Sequence, residues 1–158
     1  MNLIEYLITH KTIIAQADAR DWQGAVKLGT DILAAAKTVE WRYYDEILKS
    51  VHLHGPYFVI APGIAMPHAR PECGVNQTSY SLVTLKTPIE FGHDENDPVD
   101  ILLTLAAVDK KALNEDAIIQ VMTLFESEES VLKLRAARNT EEVIEVLKHI
   151  SLSVASGL

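Results

Sequence analysis

The spacing of apolar positions changes repeatedly along the chain, and each change marks an element boundary. Over 2–9, Leu3, Ile4, Leu7 and Ile8 fall on one face at helical spacing. Thr12-Ile13-Ile14-Ala15 predicts a short strand at a sheet edge. Asp21, a favourable N-cap, precedes a stripe of Trp22, Ala25, Val26, Gly29, Ile32, Leu33 and Ala36, the inward face of a long helix. A third helix is predicted over 41–53 with Tyr44, Ile47, Leu48 and Val51 inward, and Gly55-Pro56 ends it.

The pattern then turns strand-like. Tyr57-Phe58-Val59-Ile60 is a continuous apolar run, as in a strand buried on both faces. Ser81 to Leu85 predicts a second strand, bounded by Lys86-Thr87-Pro88, and Asp100 to Val108 predicts the central strand of the sheet. Helical spacing returns over 114–126, where Ile118, Val121, Met122 and Phe125 align, and continues over 130–137. Asn139 opens a last helix, with Glu142 placed for a capping box and Val143, Ile144, Leu147 and Ile150 inward. No repeat or low-complexity linker divides the chain, so 1–150 reads as one domain and 151–158 as a frayed tail. Helices before, between and after buried strands predict an α/β sandwich in which helices cover a sheet.

Composition narrows the function classes. At 158 residues with 48% hydrophobic side chains, the chain can bury a single sizeable core. It has no apolar run of 18 residues, and its N-terminus, interrupted by Glu5, is no secretory leader. Cys73 is the only cysteine, which excludes an internal disulfide and a multi-thiolate metal site and fits a cytoplasmic protein. The net charge of -8, from 22 acidic and 14 basic residues, argues against nucleic acid and anionic membrane surfaces as partners.

One stretch stands apart chemically. Residues 61–72 read APGIAMPHARPE, and Pro67 and Pro71 restrict the backbone on either side of His68. A loop at a strand end is a common place for a reactive group, and a neutral imidazole offers a ring nitrogen as nucleophile. Arg70 can give bidentate contacts to phosphoryl oxygens, and free N–H groups of the glycine-containing turn can add to them. A surface-turn histidine, with Arg70 merely paired to Glu72, remains the alternative at this level.

Ala65-Met66-Pro67-His68 with Arg70 resembles the phosphorylation motif of enzyme IIA components of the mannitol/fructose class in the phosphoenolpyruvate-dependent sugar phosphotransferase system. The longer runs GPYFVIAPGIAMPHARPE, SLVTLK and NDPVDILLTLAAVD resemble the L-ascorbate-specific branch, over about Met1 to Ile150. The resemblance implies a three-layer sandwich, its mixed parallel/antiparallel sheet flanked by helices on both faces. It also implies a relay: His68 takes a phosphoryl group from HPr and passes it to a cysteine of a IIB component, while a membrane IIC component imports the sugar. No metal or cofactor is implied, and the chain itself inserts into no membrane. Other sugars or sugar alcohols (fructose, mannitol, galactitol) and a regulatory role without transport are alternatives within the class. An apolar patch around Ile64 and Met66 is expected to help exclude water at docking.

Two positions depart from the mannitol-type pattern. Lys49-Ser50 stands where those members carry an arginine, so Lys49 supplies a point charge without the fork, unless Arg70 takes the role. Leu113-Asn114-Glu115 stands where they carry a second histidine, and Asn114 either orients His68 or caps its helix. The remaining polar clusters read as structural. His10, His52, His54 and His149 are surface residues, 93–97 is a solvated turn without the spacing of a calcium loop, and 126–129 is an acidic helix start. Nothing beside Cys73 makes it a thiolate nucleophile.

Overall fold

The computed structural model describes the backbone of residues 1–156 and the side chains of 1–150. α1 (Leu3–His10) starts at Asn2, whose side chain accepts from the Glu5 N–H, and ends on Lys11 in the left-handed region. β1 (Ile13–Ala17) is followed by α2 (Trp22–Ala35), capped as expected by Asp21 through the Gly24 N–H. α3 (Arg42–His54) leads into β2 (Val59–Ala61) and β3 (Ile64–Ala65), then β4 (Ser79–Ile89) and β5 (Val99–Ala106). A π-helical turn, Ala112–Ala117, runs into α4 (Ile118–Leu124), followed by α5 (Glu128–Ala136) and α6 (Thr140–Ser156).

The strands form one sheet in the order β1-β4-β5-β3-β2. β1 with β4 and β3 with β5 are parallel pairs, while β4 with β5 and β2 with β3 are antiparallel, so the sheet is mixed. Alternation along β5 feeds two cores. Ile101, Leu103 and Leu105 join Leu3, Leu7, Val121, Leu134 and Leu147 on one face. Leu102 and Ala106 join Val26, Leu33, Tyr43 and Ile47 on the other. Each helix layer hides one side of the pleat, which gives the three-layer α/β sandwich.

The layers meet most closely at Gly29 of α2. Its carbonyl accepts from the Ser81 hydroxyl at 3.0 Å, and an added Cβ would overlap Thr104 Oγ1 and lie 3.0 Å from Ser81 Oγ. Glycine is required here for proximity rather than for backbone freedom.

Several sequence expectations are corrected. Tyr57 lies outside β2 and is 39% exposed, and β2 itself, with Ile60 and Ala61 only half-buried, is not buried on both faces. β4 runs through Pro88 to Ile89; its β1 partner ends opposite Leu85, so the missing N–H of Pro88 costs no β1 bond. Tyr43, not Tyr44, is the buried tyrosine of α3; Tyr44 is half-buried, its hydroxyl donating to the Gln23 carbonyl. In α4, Ala117, Val121 and Leu124 point inward at ordinary helical spacing, with Ile118 and Phe125 packed beside them, and Met122 falls on the open side of that stripe.

At α6, Asn139 caps the Glu142 N–H, but the Glu142 carboxylate reaches the Arg138 N–H, one residue before its place in a capping box. The helix continues past Ile150, and the rest of the expected loose tail, 157–158, lies outside the described residues.

Candidate functional site

β3 lies inside the sheet, between β5 and β2, but is only two residues long, so the chain leaves it at once into the Met66–Arg70 segment. Main-chain bonds tie this segment to both neighbours. The Met66 N–H donates to the Phe58 carbonyl at 2.8 Å, and the Leu105 N–H donates to the Pro67 carbonyl at 3.0 Å. From the buried side, the Tyr43 hydroxyl accepts from the Ala69 N–H at 3.0 Å and donates to the Leu105 carbonyl at 2.7 Å. Burial pushes the Tyr43 phenol far above its ordinary pKa, so it stays a donor. From the open side, the Tyr57 hydroxyl donates to the His68 carbonyl.

His68 itself is half-buried, between Pro67 and Ala69, which are both buried. Its Nδ1 lies 2.8 Å from the Met66 carbonyl oxygen. A carbonyl only accepts, so Nδ1 carries the proton and Nε2 keeps its lone pair. Desolvation holds the His68 pKa below the ordinary imidazole value, and the Met66 carbonyl partly opposes it by favouring the protonated ring. The outcome is a neutral imidazole with a fixed tautomer and one free nitrogen.

That imidazole opens on a cleft of about 550 Å³. Arg70 and Lys49 line it with His68, so three of the four residues singled out in the sequence share one site. Arg70 is exposed and extended (φ -65°, ψ 150°), and the chain turns into a short 3-10 segment at Pro71–Cys73. Lys49 lies 3.3 Å from Glu46, which tempers its charge without neutralising the cleft. Asn114 does not cap a helix: the Asp109 side chain accepts from the Ala112 N–H at 2.8 Å, and Asn114 sits exposed within the π-turn. Its neighbour Leu113 reaches the cleft wall instead.

The expected apolar patch is also corrected. Ile64 and Met66 are 4% and 5% exposed and belong to the core. The exposed apolar rim is formed by Leu53 and Tyr57, from the end of α3 and the turn after it. Sequence reading also missed His54 as a cleft residue; its place on the last turn of α3, just before the Gly55 stop, is the signal that could have found it. Cys73 lines the cleft too, but burial and the nearby Glu46 carboxylate push its thiol pKa up, so it stays protonated.

The other polar clusters spend their lone pairs on backbone. His93 Nδ1 accepts from the Glu95 and Asn96 N–H groups, and Asp97 accepts from those of Phe91, Gly92 and His93. Ser127 caps α5, with Glu128 and Glu129 in its first turn.

Comparison with known proteins matches residues 6–150 to the family described as phosphoenolpyruvate-dependent sugar phosphotransferase system, EIIA 2. The chain is 56% identical over 147 residues to the ascorbate-specific PTS system EIIA component of Escherichia coli K12, covering 93% of this chain and 96% of that one. It is 54% identical, with the same coverage, to the component of that name from Shigella boydii. Among solved structures, the mannitol-specific cryptic phosphotransferase enzyme IIA CmtB of Escherichia coli superposes with a TM-score of 0.82 at 30% identity, covering 94% of this chain and 99% of that one.

Proposed function

Since the chain belongs to the EIIA 2 family of the phosphoenolpyruvate-dependent sugar phosphotransferase system, we propose that His68 is its phosphoryl acceptor and that the sugar served is ascorbate. The observation that carries the acceptor assignment is the 2.8 Å contact from Nδ1 to the Met66 carbonyl, in a ring that faces an open cleft. Nε2 attacks the phosphorus of the phosphohistidine on HPr. One P–N bond breaks on the donor and one forms on Nε2, while the proton on Nδ1 stays where it is. The phosphorylated ring becomes cationic, and the Met66 carbonyl dipole stabilises that charge. The same cationic ring is a good leaving group, which suits onward transfer to a cysteine thiolate of a IIB component.

No general base is required, because the attacking nitrogen already lacks a proton. What remains for the protein is alignment, charge compensation and exclusion of water. Arg70 supplies a planar donor pair for the phosphoryl oxygens, and Lys49 adds a second positive charge on the facing wall. The reading places the chain in the cytoplasm beside the membrane-bound IIC component, without inserting itself. Ascorbate is assigned from the relatives' specificity, since the sugar meets the IIB and IIC components.

The test incubates the protein with phosphoenolpyruvate, enzyme I and HPr. The expected product is an acid-labile, base-stable phosphate in wild type and no label in His68→Ala. Full labelling of that variant overturns the acceptor assignment. Loss of growth on ascorbate, but not on fructose or mannitol, after deletion of the gene supports the sugar; unchanged growth on ascorbate removes it.

A further inference from the structure

Tyr57 follows the turn that ends α3 and precedes β2 by two residues. It forms part of the cleft wall and is partly open to solvent. Two contacts distinguish it from the other wall residues. Its hydroxyl donates to the main-chain carbonyl of His68. Its ring meets the imidazole edge to face, with centroids 5.5 Å apart and planes at 77°. Behind it stands Phe58, 1% exposed, whose ring is 5.2 Å away, so Tyr57 is braced against the core.

The Met66 bond fixes the imidazole only relative to its own main chain. If the main chain at 68 shifted, the ring and its free nitrogen would shift with it. Tyr43 anchors Ala69 from below, and Tyr57 is the group that anchors His68 from the open side. Burial pushes the Tyr57 phenol pKa up, which keeps the hydroxyl a donor across the neutral range.

We infer that Tyr57 is a positioning residue for His68: its hydroxyl fixes the main chain that carries the imidazole, and its ring screens the imidazole from water, so that Nε2 stays aimed and unprotonated. This rests on the reading of His68 as the phosphoryl acceptor. The charged and titratable groups facing the cleft are Glu46, Lys49 and His54 from α3, and Arg70 and Cys73 from the loop; the π-turn contributes the apolar Leu113. Replacing Tyr57 removes none of these, so a changed His68 titration reports the loss of the ring and not of a charge.

The experiment records the imidazole nitrogen resonances of His68 by NMR against pH, in wild type, Tyr57→Phe and Tyr57→Ala. Transfer rates from phospho-HPr are measured alongside. In Tyr57→Ala, the His68 pKa rises toward about 6.5 and kcat/KM falls between about tenfold and a hundredfold, while the Met66 contact keeps a single tautomer. In Tyr57→Phe, the pKa holds and the rate drops severalfold, because the screen remains and the main-chain tie is gone. A Tyr57→Ala protein with wild-type titration and rate overturns the inference. Should that variant fail to fold, Tyr57→Phe decides: a rate equal to wild type overturns the inference. The titration needs no phosphoryl donor, so the positioning role and the acceptor assignment can fail separately; label surviving in His68→Ala defeats only the latter.

Discussion

At the scale of single residues, the state of His68 makes a prediction about pH. Its pKa in the folded chain is lowered from the ordinary 6.5, chiefly by desolvation. Between that lowered value and about 6.5, the unfolded chain binds more protons than the folded one, so stability rises with pH across that window. The contribution is fully present above about 6.5 and is lost as pH falls through the window. Urea unfolding of wild type and His68→Gln from pH 8 to pH 5 checks this. Wild type should lose stability relative to the variant as pH drops below about 6.5, and a constant difference contradicts a desolvated neutral imidazole. The loop motif and Arg70 were legible in the sequence because proline restriction and side-chain chemistry are local properties; Lys49 entered only through the family resemblance. Tyr57 was not legible as a site residue. An apolar run that reads as strand conceals which of its members turns outward, and the Tyr57 contact to the His68 carbonyl spans eleven residues.

At the scale of elements, α2 and the central strands are held at a distance that only Gly29 permits. Gly29→Ala gains helix propensity, worth about 1 kcal/mol in an exposed helix. Here the new methyl would overlap Thr104 Oγ1 and crowd Ser81 Oγ, on two strands that are packed from behind by Leu103 and Leu82. Overpacking of this kind costs about 1–3 kcal/mol, so the expected outcome is a net loss of stability. A urea midpoint lower than wild type, at unchanged slope, checks it; a higher midpoint shows that the layers separate freely. The long helices were legible from periodicity, since each runs through two or more turns, and β5 from its nearly continuous apolar run. β3 was not, because two residues carry no period. The far half of β4 was hidden by Pro88, whose tolerance depends on β1 ending opposite Leu85 rather than on anything in β4. In α4 the inward stripe passes through Leu124 rather than Met122, and seven residues give spacing too few turns to choose between those adjacent stripes.

At the scale of the whole molecule, the sandwich buries almost everything apolar near His68 and leaves a narrow exposed rim. Leu53, 78% exposed, is the most open apolar side chain of that cleft. On the proposed relay, both protein partners must cover this rim to exclude water from the phosphorus. Leu53→Asp is therefore expected to slow transfer from phospho-HPr by about tenfold, through KM more than kcat, while leaving the unfolding midpoint within about 0.5 kcal/mol of wild type. Stopped-flow transfer at several HPr concentrations separates the two, and an unaltered KM removes Leu53 from the interface. The mixed order of the sheet was beyond the reach of periodicity, which reports which faces are buried and not which strands are neighbours.

Because β3 and β5 run side by side in the same direction, the loops that follow them leave the sheet at one end. The first carries His68, the proposed acceptor, and the second leads to the wall around Leu113. Residues of that wall can therefore be exchanged while the loop that carries His68 keeps its own ties to β5 and to Tyr43.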